Sequence, residues 1–188
     1  LIVGFKQDSS AAEYIQHLED KKLVSILDEI PAQEGDVYFL ATGTIHAIGA
    51  GIVLAEIQQT SDITYRVYDW DRVDANGNSR ELHTELALEA INYHRLDTKR
   101  EYEEVVNHAN TVVDCPYFAT NFLPLDGDLH FDKDGNSFTV YMCVDGNFTL
   151  YYDKISYSYK KGDTLLIPAA ISGYELSGSA SLLEIYIS

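Results

Sequence analysis

Between residues 8 and 30 the apolar positions recur at helical spacing. Tyr14, Ile15 and Leu18 form one stripe, and Leu23, Ile26, Leu27 and Ile30 continue it as i, i+3, i+4, i+7. Ser10-Ala11-Ala12-Glu13 has the form of a capping box, with Ser10 accepting from a first-turn amide and Glu13 reaching back. Pro31 cannot continue a helix, so the pattern predicts one helix across 8–30 that stops there. Beyond 35 the period changes. The segments 37–41, 51–58 and 63–70 are rich in β-branched and aromatic residues with glycines between them, and they predict strands. Asp74-Ala75-Asn76-Gly77-Asn78 is a turn cluster. A second helix is expected after it, capped by Asn78 or Ser79, with Leu82, Leu86, Ala90 and Ile91 on one face. From 117 onward the chain is β in character. Turn signals at Asp126-Gly127, Asp134-Gly135 and Asp145-Gly146 predict a sandwich or jelly roll, so the fold class is mainly β with intervening helices.

A weak internal repeat organises this pattern. Gly35-Asp36-Val37-Tyr38-Phe39-Leu40-Ala41 resembles Gly162-Asp163-Thr164-Leu165-Leu166-Ile167-Pro168 at an offset of 127 residues, and Leu54-Ala55-Glu56-Ile57 resembles Leu183-Glu184-Ile185 at nearly the same offset. The repeat predicts two copies of one β unit with a helix between them. The second copy keeps strand-like sequence ahead of its Gly-Asp that the first lacks. The chain also opens on the apolar run Leu1-Ile2-Val3-Gly4-Phe5, so a first copy without its opening strands is expected. At the same offset His46 falls on Gly173, so only the first copy holds a histidine there.

Composition narrows the function classes. A net charge of −17 from 13 Lys and Arg against 30 Asp and Glu offers no basic stripe for nucleic acid. An anionic metabolite must be held by a few placed cations against the overall field. No apolar run approaches the ~20 residues of a membrane helix. Cys115 and Cys143 form no framework and no metal-spaced pair, so the cytoplasm is the expected compartment.

Three positions could carry chemistry. His46, on an apolar segment between glycines, is either a core histidine or a metal ligand, and a catalytic zinc needs about three protein ligands with an open position. Glu56, after Ile52-Val53-Leu54-Ala55, lies either on a solvated face or in a pocket where burial would suit it to act as a base. Arg66, in Thr64-Tyr65-Arg66-Val67-Tyr68, either stacks among tyrosines or recognises a phosphate or oxyanion through its planar fork. Arg72 sits among carboxylates and is expected to pair with one.

The runs Thr44-Ile45-His46-Ala47-Ile48-Gly49, Glu56-Ile57-Gln58-Gln59-Thr60-Ser61-Asp62-Ile63-Thr64-Tyr65-Arg66-Val67-Tyr68-Asp69 and Arg72-Val73-Asp74-Ala75-Asn76-Gly77, followed by Arg80-Glu81-Leu82-His83, resemble type I mannose-6-phosphate isomerases of the short Gram-positive form. The resemblance implies cupin-type jelly rolls: residues 1–96 as the C-terminal part of a catalytic cupin domain with helices, and 97–188 as a second, degenerate cupin-like β domain. It implies zinc as cofactor with His46 as one ligand, the family's other ligands having no counterpart in this chain. It places Arg66 beside the substrate, with Glu56 and Asp62 as acidic positions for proton transfer or support. The implied reaction interconverts mannose 6-phosphate and fructose 6-phosphate through a cis-enediol. The implied partner is a phosphorylated hexose, with neither nucleic acid nor membrane, and self-association is expected if core is left uncovered. The alternative is a non-catalytic cupin module that binds sugars.

Overall fold

The computed structural model describes residues 1–61, 63–70 and 72–187. They are mainly β and antiparallel, and they divide into two compact units, Leu1–Lys99 and Arg100–Ser188.

In the second unit, β6 (Asn110–Asp114), β7 (Ala119–Asp132), β8 (Thr139–Tyr152), β9 (Ile155–Lys160), β10 (Thr164–Ile167) and β11 (Gly173–Tyr186) form one sheet. Its order is β10-β8-β11-β7-β6, with β9 also paired to β8. β11 runs along the whole of β7, from Gly173 opposite Asp132 to Tyr186 opposite Ala119. Inward positions alternate along these strands, as a one-sided sheet requires. Leu123, Leu125, Tyr141, Cys143, Phe148, Leu150, Leu176 and Leu182 pack together in the core.

Asp126-Gly127 and Asp145-Gly146 do not end strands, contrary to the turn expectation; they lie inside β7 and β8, and only Asp134-Gly135 falls in a connection. Close approach explains the glycine in β8. Gly146 has φ +76°, and a Cβ there would stand 2.2 Å from the Ser179 carbonyl oxygen of the neighbouring strand. Its role is to let two backbones meet, which the dipeptide alone does not distinguish from a turn.

At one end of this core lies a polar row. The Tyr174 and Tyr141 hydroxyls are 2.8 Å apart, Tyr141 donates to Glu184 Oε1 at 2.9 Å, and Asn121 Nδ2 donates to Glu184 Oε2 at 2.8 Å. The row follows from register, since Asn121 and Tyr141 both sit opposite Glu184 on the flanking strands. Burial raises the Tyr141 hydroxyl far above the usual phenol range and Tyr174 to about 12.

The first unit contains β1 (Ile2–Phe5), α1 (Ala11–Glu19), β2 (Leu27–Glu29), β3 (Val37–Tyr38), β4 (His46–Ala47) and α2 (Thr84–Ala90), with the short strand β5 (Lys99–Arg100) at the junction. Strand order is β2-β1-β4. Phe5, Tyr14, Leu23, Leu27 and Ile45 form its core, and Tyr93 lies against Phe5 and Tyr14 at ring distances of 5.9 and 6.2 Å.

The helix expected over 8–30 stops at Glu19. Lys21 takes φ +57°, a short 3₁₀ turn follows, and Leu27–Glu29 turns into a strand against β1. The apolar residues at 23–27 keep their place in the core; what overrides the helical period is the open edge of β1, which takes up the backbone of 27–29. Ser10 does accept from the Glu13 amide, while the Glu13 carboxylate accepts from the Ser9 hydroxyl. The strands expected over 51–58 and 63–70 are absent, and 37–41 shortens to Val37–Tyr38. The second helix starts at Thr84, with no side-chain cap at His83.

The repeat is legible in hydrogen bonds. Asp36 N–H donates to Gln33 O and accepts from Gln33 N–H through its carboxylate; Asp163 does the same with Lys160. Thr44 N–H donates to Ala41 O, and Ile171 N–H to Pro168 O. β3 and β10, then β4 and β11, begin at positions 127 residues apart, and β2-β1-β4 follows the connectivity of β9-β8-β11. The Asp153-Lys154 turn between β8 and β9 has α1 and its flanks as its counterpart between β1 and β2.

Candidate functional site

His46 opens β4, where it lies opposite Val3 of β1. The segment is seated by Gly43, whose φ is +87° and whose added Cβ would stand 2.3 Å from the Ala90 carbonyl at the end of α2. Asn92 N–H closes this contact by donating to Gly43 O at 2.9 Å. The His46 ring is exposed, with Nδ1 2.9 Å from its own Thr44 carbonyl oxygen. That contact fixes Nδ1 as the donor and leaves Nε2 with its lone pair outward, the orientation a metal-ligating imidazole needs. Among the described residues, however, no group of three His, Cys, Asp or Glu side chains converges to hold a metal ion. Among the described residues the side chains around His46 do not make a zinc site.

Arg66 sits on one limb of a loop zipped by side chains. Its N–H donates to His83 Nδ1 at 3.1 Å, and the His83 N–H returns to Arg66 O at 2.8 Å. The Arg66 Nη1 reaches Glu81 O at 3.3 Å. Three residues further in, Arg80 grips the buried Asp69 carboxylate with two nitrogens, Nε at 2.8 Å and Nη2 against the second oxygen. The tip is an Asx turn, with Asp74 accepting from the Asn76 and Asn78 amides at 2.8 and 2.9 Å. Positions 66 and 83, like 69 and 80, stand equidistant from Asp74-Ala75. Opposite charges placed symmetrically about a turn cluster are a sequence signal for this pairing.

Arg80, above all, holds the Asp69 carboxyl below the usual carboxylate range, and Arg66 and Arg72 add to the effect from nearby. Three of the chain's few cations therefore gather around Asp69, in a segment that also carries the carboxylates of Asp74 and Glu81. Among the described residues Arg72 makes no ion pair: its guanidinium lies 5.4 Å from the centroid of the Trp70 ring, and Arg80 holds Asp69.

Glu56 is exposed, and among the described residues it makes no hydrogen bond or ion pair. Asp62 lies outside the described residues. The structure thus orders Arg66 through its loop and His46 through Gly43 and β1, while Glu56 is on neither scaffold.

Residues 108–187 match the family described as mannose-6-phosphate isomerase, cupin domain. The chain is 32% identical over 161 residues to mannose-6-phosphate isomerase ManA of Bacillus subtilis (strain 168), a match covering 84% of this chain and 51% of that protein. It is 30% identical over 161 residues to mannose-6-phosphate isomerase of Streptococcus mutans serotype c, covering 84% and 50%. The crystal structure of the mannose 6-phosphate isomerase from Bacillus subtilis is similar at a TM-score of 0.87 and 29% identity, over 98% of this chain and 59% of that one. The chain spans about half the length of the curated relatives it matches. No described helix is long and apolar enough to cross a membrane.

Proposed function

We propose that this chain, similar over most of its length to the mannose-6-phosphate isomerases, contributes to aldose–ketose isomerisation of a phosphorylated hexose, mannose 6-phosphate to fructose 6-phosphate. The observation that carries the reading is the fit of 98% of the chain to the Bacillus subtilis isomerase structure at a TM-score of 0.87. The arginine-rich loop supplies the matching chemistry. An anionic substrate must be held by placed cations in a protein of net charge −17, and Arg66 is one such cation, with Arg72 and Arg80 in the same loop.

In the open-chain aldose a base removes the proton from C2. The electron pair forms the C1–C2 double bond of a cis-enediol while the carbonyl oxygen becomes an oxyanion. Return of a proton to C1, with transfer of the O2 proton to O1, gives the ketose. Arg66 would hold the developing oxyanion or the phosphate with its planar fork. Glu56 is the carboxylate proposed for proton transfer, its exposure leaving it accessible to substrate, and Asp62 is proposed as an acidic group of the same site. His46 is proposed as a zinc ligand through Nε2; the rest of the coordination sphere is not among the described residues. A cytoplasmic location fits a sugar-phosphate substrate.

A coupled assay of mannose 6-phosphate conversion by the whole protein that contains this sequence, with zinc supplied, tests the reading. Turnover that falls by about 10²-fold or more in Arg66→Ala is the expected result. Wild-type turnover in that variant removes Arg66 from the reaction. Calorimetric binding of the hexose phosphate without turnover favours the non-catalytic sugar-binding module, and absence of both overturns the proposal.

A further inference from the structure

Four residues beyond Arg66 the loop presents an aromatic surface that the proton-transfer chemistry does not use. Trp70 is the chain's one tryptophan and its side chain is far from buried, at 43% exposure. Its backbone nevertheless sits at φ +51°, a left-handed conformation unfavourable for a residue with a Cβ. Such conformations persist only where the surroundings impose them, and they concentrate at ligand clamps. Here the constraint comes from the preceding residue: Asp69 is buried and tied to Arg80, so the chain must turn sharply and deliver the next side chain outward. The indole is then held from two sides, by Tyr68 at a ring distance of 5.1 Å and an interplanar angle of 58°, and by the Arg72 guanidinium at 5.4 Å.

Burial does not account for this arrangement, because the ring keeps much of its area in solvent. An exposed aromatic surface held by the Arg72 guanidinium matches another chemistry. A hexose phosphate has an apolar face of C–H groups on its sugar ring and an anionic end. The first suits the face of an indole, and the second suits arginine. From this geometry we infer that Trp70 is a substrate-binding residue, a platform on which the sugar ring of the hexose phosphate stacks, with Tyr68 and Arg72 holding the indole in place and the Asp69–Arg80 pair setting its direction. The inference rests on the hexose-phosphate reading of Arg66 and adds to it a residue that contacts carbon rather than oxygen.

Because Trp70 is the one indole in the chain, its emission reports on this surface alone. Titration of the full chain with mannose 6-phosphate should give a saturable change in tryptophan emission, with no comparable change from inorganic phosphate at equal concentration. Calorimetry on Trp70→Leu should show affinity for mannose 6-phosphate reduced about tenfold, with Trp70→Phe restoring most of it. Circular dichroism of the two variants should match wild type, since the ring is outside both cores. Unchanged affinity in Trp70→Leu overturns the platform while leaving the isomerase reading intact. So does calorimetric binding to wild type without any emission change. An equal response to inorganic phosphate means the indole senses an anion at the arginines, and also overturns stacking. If the wild-type chain binds no hexose phosphate by calorimetry, the platform and the reading beneath it fall together.

Discussion

The two units share a turn, a strand order and a 127-residue offset, yet one is a finished sheet and the matching sheet of the other has three short strands. In Arg100–Ser188, β11 is paired along its whole length to β7 and over most of it to β8, and the residues that point inward meet one another. In Leu1–Lys99, β4 begins at the repeat counterpart of β11, but among the described strands it pairs with β1 alone and lasts two residues. The difference teaches what a strand-like sequence needs. Residues 51–58 and 63–70 are as rich in β-branched and aromatic side chains as much of β7 or β8, but with no flanking ladder they stay irregular, and Val53 and Ile63 remain exposed. β-propensity is realised through cross-strand neighbours, and the sheet order of the second unit supplies them.

If completeness of pairing is what separates the units, damage to the core should be felt most in the second. Leu182→Ala removes a fully buried side chain between β7 and β8 and should cost about 3–5 kcal/mol in urea unfolding. Leu23→Ala, in the smaller core of the first unit, should cost less, about 2 kcal/mol. Comparable losses for the two would break the contrast.

A test of similarity rather than difference comes next. Gly146→Ala and Gly43→Ala each place a Cβ against a carbonyl oxygen at a left-handed position, so both should destabilise by about 2 kcal/mol or more. A neutral Gly43→Ala would mean that the 43–46 segment is not seated as tightly as the crossing of β8 and β11 at Gly146.

The smallest effect is electrostatic and belongs to the first unit. Arg80 lowers the Asp69 pKa in the fold, so the pair's contribution is present above the unfolded carboxylate value and is lost as pH falls through the lowered one. Proteolytic cleavage within 66–83, followed by mass spectrometry from pH 7 to 3 with an acid-active protease, should accelerate only at the acid end. In Asp69→Asn it should be fast throughout. A pH-independent wild type would show that the Asx turn and the Arg66–His83 contacts hold the loop without the ion pair.

How much of this was legible beforehand depends on the range of the interaction that decides it. The Ser10 cap, the Asp74 turn and the paired Gly-Asp turns are settled within a few residues, and their side-chain chemistry can be read from neighbouring letters. The resemblance carried by 44–49 and 56–83 was equally legible, and with it the mainly β fold. Tertiary structure decided the rest. It ended α1 at Glu19 because β1 offered 27–29 an edge, turned Asp145-Gly146 from a suspected turn into a close crossing of strands, and gave Asp69 to Arg80 rather than to Arg72. Each of these outcomes was a competition between partners distant in sequence, settled by which backbone or charge the fold brings within reach. Local pattern is blind to that.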